Sequence, residues 1–261
     1  MQAVGVHRDV VVVTSRLWQT TATVLRDGEE AMLVDSPYFP DELEALPELL
    51  GQAGFRVDAL LATHADFDHL LGRLAFPDLA LGLAESSALR LRAEPGAAQR
   101  ELRAEDERTY VTRPRPLSLG GVVEALPVPG HLELGTEELE LHPTGGHTAD
   151  GLAVWAPHVG VLVCGDYLSG VEIPTLEGGA SLEEYRATLA RLAPLVEAGE
   201  TVVPGHGPPQ GRVATLRTLD EDLDYLDALD RGEERPPLPP GRAGAHQREL
   251  HARNLRGAGG A

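Results

Sequence analysis

The run Thr63-His64-Ala65-Asp66-Phe67-Asp68-His69 places two imidazoles and two carboxylates within six residues of a 261-residue chain. These are the nitrogen and oxygen donors that divalent metals take from proteins. An apolar stretch at 57–63 leads into the run, and Leu70, Leu71 and Leu74 lead out of it. Three more candidates lie far down the chain in the same local setting: His147 in PTGGHTADG, Asp166 in VLVCGDYLSG and His206 in VVPGHGPP. Each follows a β-type run or a glycine turn, and loops at strand ends are where α/β scaffolds assemble their sites. The neighbouring glycines let the backbone turn sharply beside bulky ligating side chains.

Elements must hold these residues, and the pattern predicts alternating strands and helices, an α/β layering. Strands are expected at 4–13, 20–25 and 31–36, the last two joined by an Asp27-Gly28 hairpin turn. A helix over 40–50 carries Asp41, Glu42 and Glu44 in its first turns, where the helix dipole favours acids. A short strand at 57–63 then delivers His64, and the spacing predicts a helix over 67–75. Further on come a strand near 79–82 and a helix over 84–91. Residues 92–115 are charged and poor in apolar side chains, so they read as a surface segment covering the site.

Strands separated by turns are expected over 117–145, with one turn at Gly120-Gly121, followed by apolar strands ending near Pro157 and Asp166. A helix over 182–196 has Ser181 as its N-cap, and 201–207 is a short strand ending in His206. An acidic helix over 213–229 packs through Leu219, Leu223, Leu226 and Leu229. Prolines at 236–240 break it, 245–256 forms a last helix, and 257–261 is a frayed tail. The expectation is one domain over 1–261, with a C-terminal helical segment at about 212–256.

Composition narrows the partners. Hydrophobic residues make up 42% of the chain, enough for a large core, and few are aromatic, so Leu, Val and Ala fill it. The net charge is −19 and every basic residue is arginine. Nucleic-acid binding needs clustered positive charge, so nucleic acid is not an expected partner. No apolar run approaches the ~20 residues needed to span a bilayer. The single cysteine, Cys164, cannot form an internal disulfide, and no signal peptide is evident, which makes the cytoplasm the expected location. A small molecule is the expected partner; the pattern is silent on oligomeric state.

The ligand set resembles that of the metallo-β-lactamase fold superfamily. The family's first motif reads H-x-H-x-D-H, and here the corresponding residues are His64, Asp66, Asp68 and His69; its later ligands correspond to His147, Asp166 and His206. The resemblance implies a four-layer αββα sandwich holding two divalent ions, zinc first, with manganese or iron as alternatives. By position, one ion would take His64, Asp66 and His147, the other Asp68, His69 and His206, with Asp166 bridging. The implied activity is hydrolysis of a small ester, thioester or lactone by a metal-bound hydroxide. Asp68 would orient that nucleophile and carry a proton.

Asp66 stands where the family has its second imidazole. Carboxylate remains a competent ligand. Two divalent ions bring four positive charges and the three aspartates three negative, so a bridging hydroxide makes the site neutral. The extra carboxylate is expected to weaken the Lewis acidity of the ions, raise the pKa of their water and favour harder metals. Asp166 also stands where class B1 lactamases carry cysteine, which argues against β-lactams as substrates.

Two other functions fit the same residues. One is an iron-dependent oxidoreductase, because relatives that reduce oxygen or nitric oxide carry glutamate at the position of Asp66. The other is a non-catalytic metal-binding protein. Outside the ligand set, Tyr167 and His142 are candidate substrate contacts, and Asp35 is a candidate to orient a ligating imidazole. Arg242, Arg248, Arg253 and Arg256 are available as an anchor for an anionic thioester. Cys164 reads as a buried strand residue; His131, His158, His246 and His251 read as surface residues.

Overall fold

Period-two alternation in the first strands gives each sheet face its own core. In β2 (Val10–Thr14), β3 (Thr21–Asp27) and β4 (Glu30–Asp35), Val10, Val12, Leu25, Met32 and Val34 pack to one side. Val13, Ala22, Val24 and Leu33 pack to the other. The computed structural model describes residues 1–120, 123–176, 180–233 and 236–258. Half of the expected Gly120-Gly121 turn and the last three residues of the expected frayed tail lie outside them.

The first sheet has seven strands in chain order, adding β1 (Gln2–His7), β5 (Val57–Leu61), β6 (Leu81–Ala84) and β7 (Val123–Leu126). Its β4 to β7 half is parallel. The crossovers carry α1 (Pro40–Gln52), α2 (Gly72–Ala75), then α3 (Glu85–Ala93) with α4 (Ala97–Thr109). The second sheet runs β13 (Gln210–Gly211), β12 (Thr201–Val203), β11 (Val161–Val163), β10 (Leu152–Ala156), β9 (Glu137–Pro143), β8 (Gly130–Leu134). Its helices are α5 (Leu182–Ala198), α6 (Arg212–Asp230) and α7 (Ala245–Ala258).

Between the sheets, Val12, Leu25 and Val34 meet Leu141, Val154 and Val163. Leu43, Leu46, Leu50 and Leu102 cover the outside of the first sheet, and Leu189, Leu192, Val196 and Leu226 the outside of the second. The layers are therefore helix, sheet, sheet, helix. Strands β4, β5, β11 and β12 all end at one edge, and β10, antiparallel to β11, begins there. Two backbone contacts lock the sheets together at that edge: Leu152 N–H donates to Thr63 O at 2.7 Å, and Thr21 N–H to Gly205 O at 2.8 Å.

Three local expectations are corrected. The 4–13 stretch is a hairpin rather than one strand, because the chain reverses at Arg8-Asp9 and β1 pairs antiparallel with β2. Residues 67–75 form a 3-10 turn at Phe67–His69 followed by the single turn of α2. Asp66 precedes the 3-10 turn in extended conformation, and Asp68 and His69 lie within it. The 92–115 segment contains the regular helix α4, buried through Ala98, Leu102 and Asp106 at four-residue spacing. Asp106 accepts from Tyr38 Oη at 2.7 Å and from Arg113 Nε at 2.8 Å. Hydrophobic periodicity misses this helix because its third anchor is a carboxylate.

Asp106→Ala leaves a buried guanidinium and phenol without their acceptor, and is expected to lower the unfolding free energy by about 3 kcal/mol in urea titration. A loss below about 0.5 kcal/mol would mean that Ala98 and Leu102 alone hold α4.

Candidate metal centre

All four imidazoles at the sheet edge are gripped at Nδ1. His69 Nδ1 lies 3.0 Å from Asp35 Oδ2, and His64 Nδ1 3.1 Å from Thr63 Oγ1. His147 Nδ1 lies 2.7 Å from Thr175 Oγ1 and 3.1 Å from its carbonyl. His206 Nδ1 lies 3.2 Å from the Trp18 carbonyl. Asp35 also accepts from Thr63 N–H at 2.8 Å and Thr63 Oγ1 at 2.9 Å, so it orients His69 as the sequence leads one to expect. An acceptor at Nδ1 leaves Nε2 free to ligate.

The four Nε2 atoms face the three aspartates. Asp66 Oδ2 is 3.4 Å from His64 and 3.6 Å from His147. Asp68 Oδ2 is 3.5 Å from His206 and 3.7 Å from His69. Asp166 lies between the groups: Oδ2 is 3.3 Å from both His147 and His206, and Oδ1 is 3.2 Å from His69. His64 Nε2, His69 Nε2, His147 Nε2 and Asp166 Oδ1 are buried without a hydrogen-bond partner among the described residues. Buried polar atoms are rarely left so, and four converging on one point fit a cation. Donors from His64, Asp66 and His147 come within 4.8 Å of one another, as do those of Asp68, His69 and His206, and of His64, His69 and Asp166. These clusters suggest a site for two divalent ions.

Glycines make the approach possible. A Cβ on Gly205 would collide with the Asp166 carboxylate and sit 2.9 Å from His69 Cε1. Gly146, at φ +110°, carries the chain past the Tyr185 backbone into His147. Backbone strain gathers here too: Trp18, Gln19, Asp35 and Leu168 all have φ of 50–60° without being glycine.

Charge is divided unevenly across the metal-free cluster. Burial opposes ionisation of Asp166, yet His206 and His69 hold it well below the usual carboxylate range. Asp66 behaves alike, with His64 and His147 overcoming burial. Asp68 goes the other way, because burial dominates and pushes its carboxyl up. Burial would lower the imidazoles, but Asp66 and Asp166 push His147 up to about 9, and Asp166 with Glu172 pushes His206 up to about 10. His69 rises well above its ordinary value against burial, chiefly through Asp35.

The expected substrate contacts do not reach the cleft. Tyr167 is buried, donating to Gly145 O at 2.7 Å and accepting from His147 N–H at 3.0 Å, so it braces the His147 loop. His142 points along β9 to Glu140 at 3.1 Å. Of the arginines considered as an anion anchor, Arg242 is buried against Asp222 at 2.5 Å. Arg253 lines the cleft. His246 does as well, stacked on Trp18 with ring centroids 6.3 Å apart; it is a half-buried surface residue, as read from the sequence, that also lines the cleft. Cys164 is a buried strand-end residue, as read from the sequence.

Sequence reasoning passed over two residues that hold the ligand loop. Asp150 Oδ2 accepts from Ala65 N–H at 3.0 Å, and Arg90 spans Asp66 and Asp150. Asp150 could have been noticed, three residues after His147; Arg90, on α3, carries no local signal.

Comparison with known proteins matches this architecture. A profile of the metallo-beta-lactamase superfamily aligns with residues 15–206, most of the chain. The chain belongs to the metallo-beta-lactamase superfamily. A metallo-beta-lactamase from Pontibacter korlensis shares the fold at TM-score 0.63 and 21% identity, covering 84% of this chain and 97% of its own. A metallo-beta-lactamase family protein from Thermus thermophilus superposes at TM-score 0.66 and 21% identity, covering 87% of this chain and 83% of its own. Superfamily fold and clustered donors together are those of a metal-dependent hydrolase-type enzyme. No helix among the described residues is long and apolar enough to cross a membrane. Helix α7, which lines the cleft, lies beyond the part matched by the superfamily profile.

With His147 at about 9 and His206 at about 10, both imidazoles carry a proton at pH 7 in the metal-free protein, and ligation must expel it. Metal affinity is therefore expected to rise with pH up to about 10. Loading at pH 7 should release protons, seen as a dependence of the binding heat on the buffer's ionisation enthalpy. A buffer-independent heat would contradict this.

Proposed function

We propose that the protein is a dinuclear metallohydrolase of small, uncharged esters, thioesters or lactones. The observation that carries this reading is the convergence of four Nε2 atoms and three carboxylates, of which His147, His206 and all three aspartates line a cleft of about 1080 Å³. His64, Asp66 and His147 would hold one ion, Asp68, His69 and His206 the other, and Asp166 reaches toward both. Zinc suits the imidazole majority; three carboxylates keep manganese and iron in competition. When bound, the ions supply Lewis acidity and bring the pKa of water toward neutrality.

The chain's own residues do the rest. Asp68 is the proposed proton carrier, since burial raises its pKa in the metal-free cluster and its carboxylate lies 3.5 Å from His206 and 3.7 Å from His69. Trp18 and Phe67, with their rings edge to face at 6.3 Å, give the cleft an apolar wall. The lining also carries Glu94, Glu101, Glu105, Glu172 and Glu249 against Arg90, Arg108 and Arg253, an excess of acid. Arg108 is paired with Glu105 at 2.6 Å. This lining repels polyanions and leaves the apolar wall for a neutral acyl group.

Asp68→Asn is expected to weaken the ion held with His69 and His206 and, beyond that loss, to lower kcat by about 100-fold or more, read as turnover per bound metal; equal turnover per metal would remove Asp68 from proton transfer. For the assignment as a whole, metal analysis of protein purified without chelators is expected to find two zinc or manganese ions. Neutral lactones and esters should be hydrolysed with kcat/KM at least about tenfold above an anionic glutathione thioester. Two irons with visible absorbance and no hydrolysis would favour the oxidoreductase instead. Metal without hydrolysis of any of the three substrate types would favour a binding protein.

A further inference from the structure

The position where the family has an imidazole carries Asp66, and the structure shows what surrounds that change. Asp66 Oδ1 is 2.7 Å from Arg90 Nη2, while Oδ2 alone faces His64 and His147. The second arm of the same guanidinium, Nη1, lies 2.9 Å from Asp150 Oδ1. Asp150 is buried, and its other oxygen accepts from the N–H of Ala65, the residue between the loop's first two donors. The fork is thus fixed at both tines, and it arrives from α3, an element with no donor of its own in the cluster.

We infer that Arg90 is a positioning residue that makes Asp66 the equivalent of an imidazole. A free carboxylate beside a divalent ion can give it both oxygens and a full negative charge; a histidine gives one atom and none. Arg90 occupies Oδ1, so a single oxygen faces the cluster; its positive charge is shared between Asp66 and Asp150, so it offsets only part of the charge that Asp66 adds. A guanidinium suits this task better than an ammonium because its planar fork binds two carboxylates in a fixed relation. Asp150 acts through Arg90, holding the fork in line. The inference rests on the reading that His64, Asp66 and His147 bind an ion. It departs from the expectation that the extra carboxylate simply weakens the Lewis acidity of the site.

The test is a charge-specific rescue, read as metal content and zinc affinity of the full chain, with the folding of each variant checked by thermal melting. Asp66→His alone leaves Arg90 paired with Asp150 only, with the freed arm of its fork turned toward the ion, and is expected to weaken binding of one of the two ions by about tenfold or more. Adding Arg90→Gln should restore that ion to within about threefold of the natural protein. Adding Arg90→Lys, which keeps the charge, should not. In the natural Asp66 background, Arg90→Gln should leave the ion bound but let both carboxylate oxygens reach it. That change would appear as weaker visible absorption of the cobalt-substituted protein, since a higher coordination number weakens the cobalt bands.

A merely structural Arg90 predicts the opposite pattern: Arg90→Gln would lower metal binding equally in both backgrounds, and lysine would serve as well as arginine. That result, or an unchanged cobalt spectrum, overturns the inference while leaving the metal site standing. Absence of metal from the natural protein overturns both.

Discussion

Much of this molecule depends on how Asp35 is held. It ends β4 at φ +60°, a conformation that costs a non-glycine residue about 1 kcal/mol. In return its buried carboxylate receives the Thr63 N–H, the Thr63 hydroxyl and His69 Nδ1. Three such bonds, at about 1 kcal/mol or more each, outweigh the strain. Thr63 in turn contacts His64 Nδ1, and its carbonyl accepts from Leu152, the first residue of β10 in the other sheet. One strained side chain therefore sets the orientation of two imidazoles and shares a residue with the contact that ties the sheets together where the donors gather.

The same logic extends outward. The 169–176 loop supplies Thr175, which grips His147, and the C-terminal part of the chain holds that loop almost entirely through its backbone. Arg242 donates to the carbonyls of Ser169 and Glu172. Gln247 accepts from Ile173 N–H, and Asn254 accepts from Leu176 N–H while donating to Pro174 O. Helix α7 thus has two duties: one face buttresses a loop behind the cluster, and another, through His246 and Leu250, shapes the cleft in front of it. Across the mouth stands α4, fastened by Asp106 to Tyr38. The sandwich holds the donors; these two helices decide what can approach them.

Electrostatically, the metal-free cluster sets ionised Asp66 and Asp166 against protonated His147 and His206, whose protons a metal must displace. Asp66 belongs to that set and also to the ion pair with Arg90. Burial works against the Arg90 charge, but Asp66 and Asp150 raise its pKa further, so it stays a cation at any working pH. Counting the three aspartates against two divalent ions, as the sequence alone invites, leaves out both this guanidinium and the Asp150 carboxylate that shares it.

Local pattern was enough for the layered α/β class, most strand and helix positions, and the seven donors. Alternation and glycine turns are short-range signals, and the donor residues are of types with few other reasons to cluster at strand ends. The sequence also offered Asp35, because a metal-bound imidazole needs an acceptor for its other ring nitrogen. It could not reveal Arg90, whose role exists only because α3 crosses behind a loop more than twenty residues earlier in the chain. It misjudged α4, whose buried face includes an aspartate, and it could not place His246 at the cleft, because its position over Trp18 depends on where α7 docks. Tyr167 follows Asp166 directly in sequence, yet its ring turns away into the core toward Tyr185. Which residues could bind metal follows from their chemistry and order. What tunes them and what faces the substrate depend on contacts between distant segments, and no local periodicity encodes those.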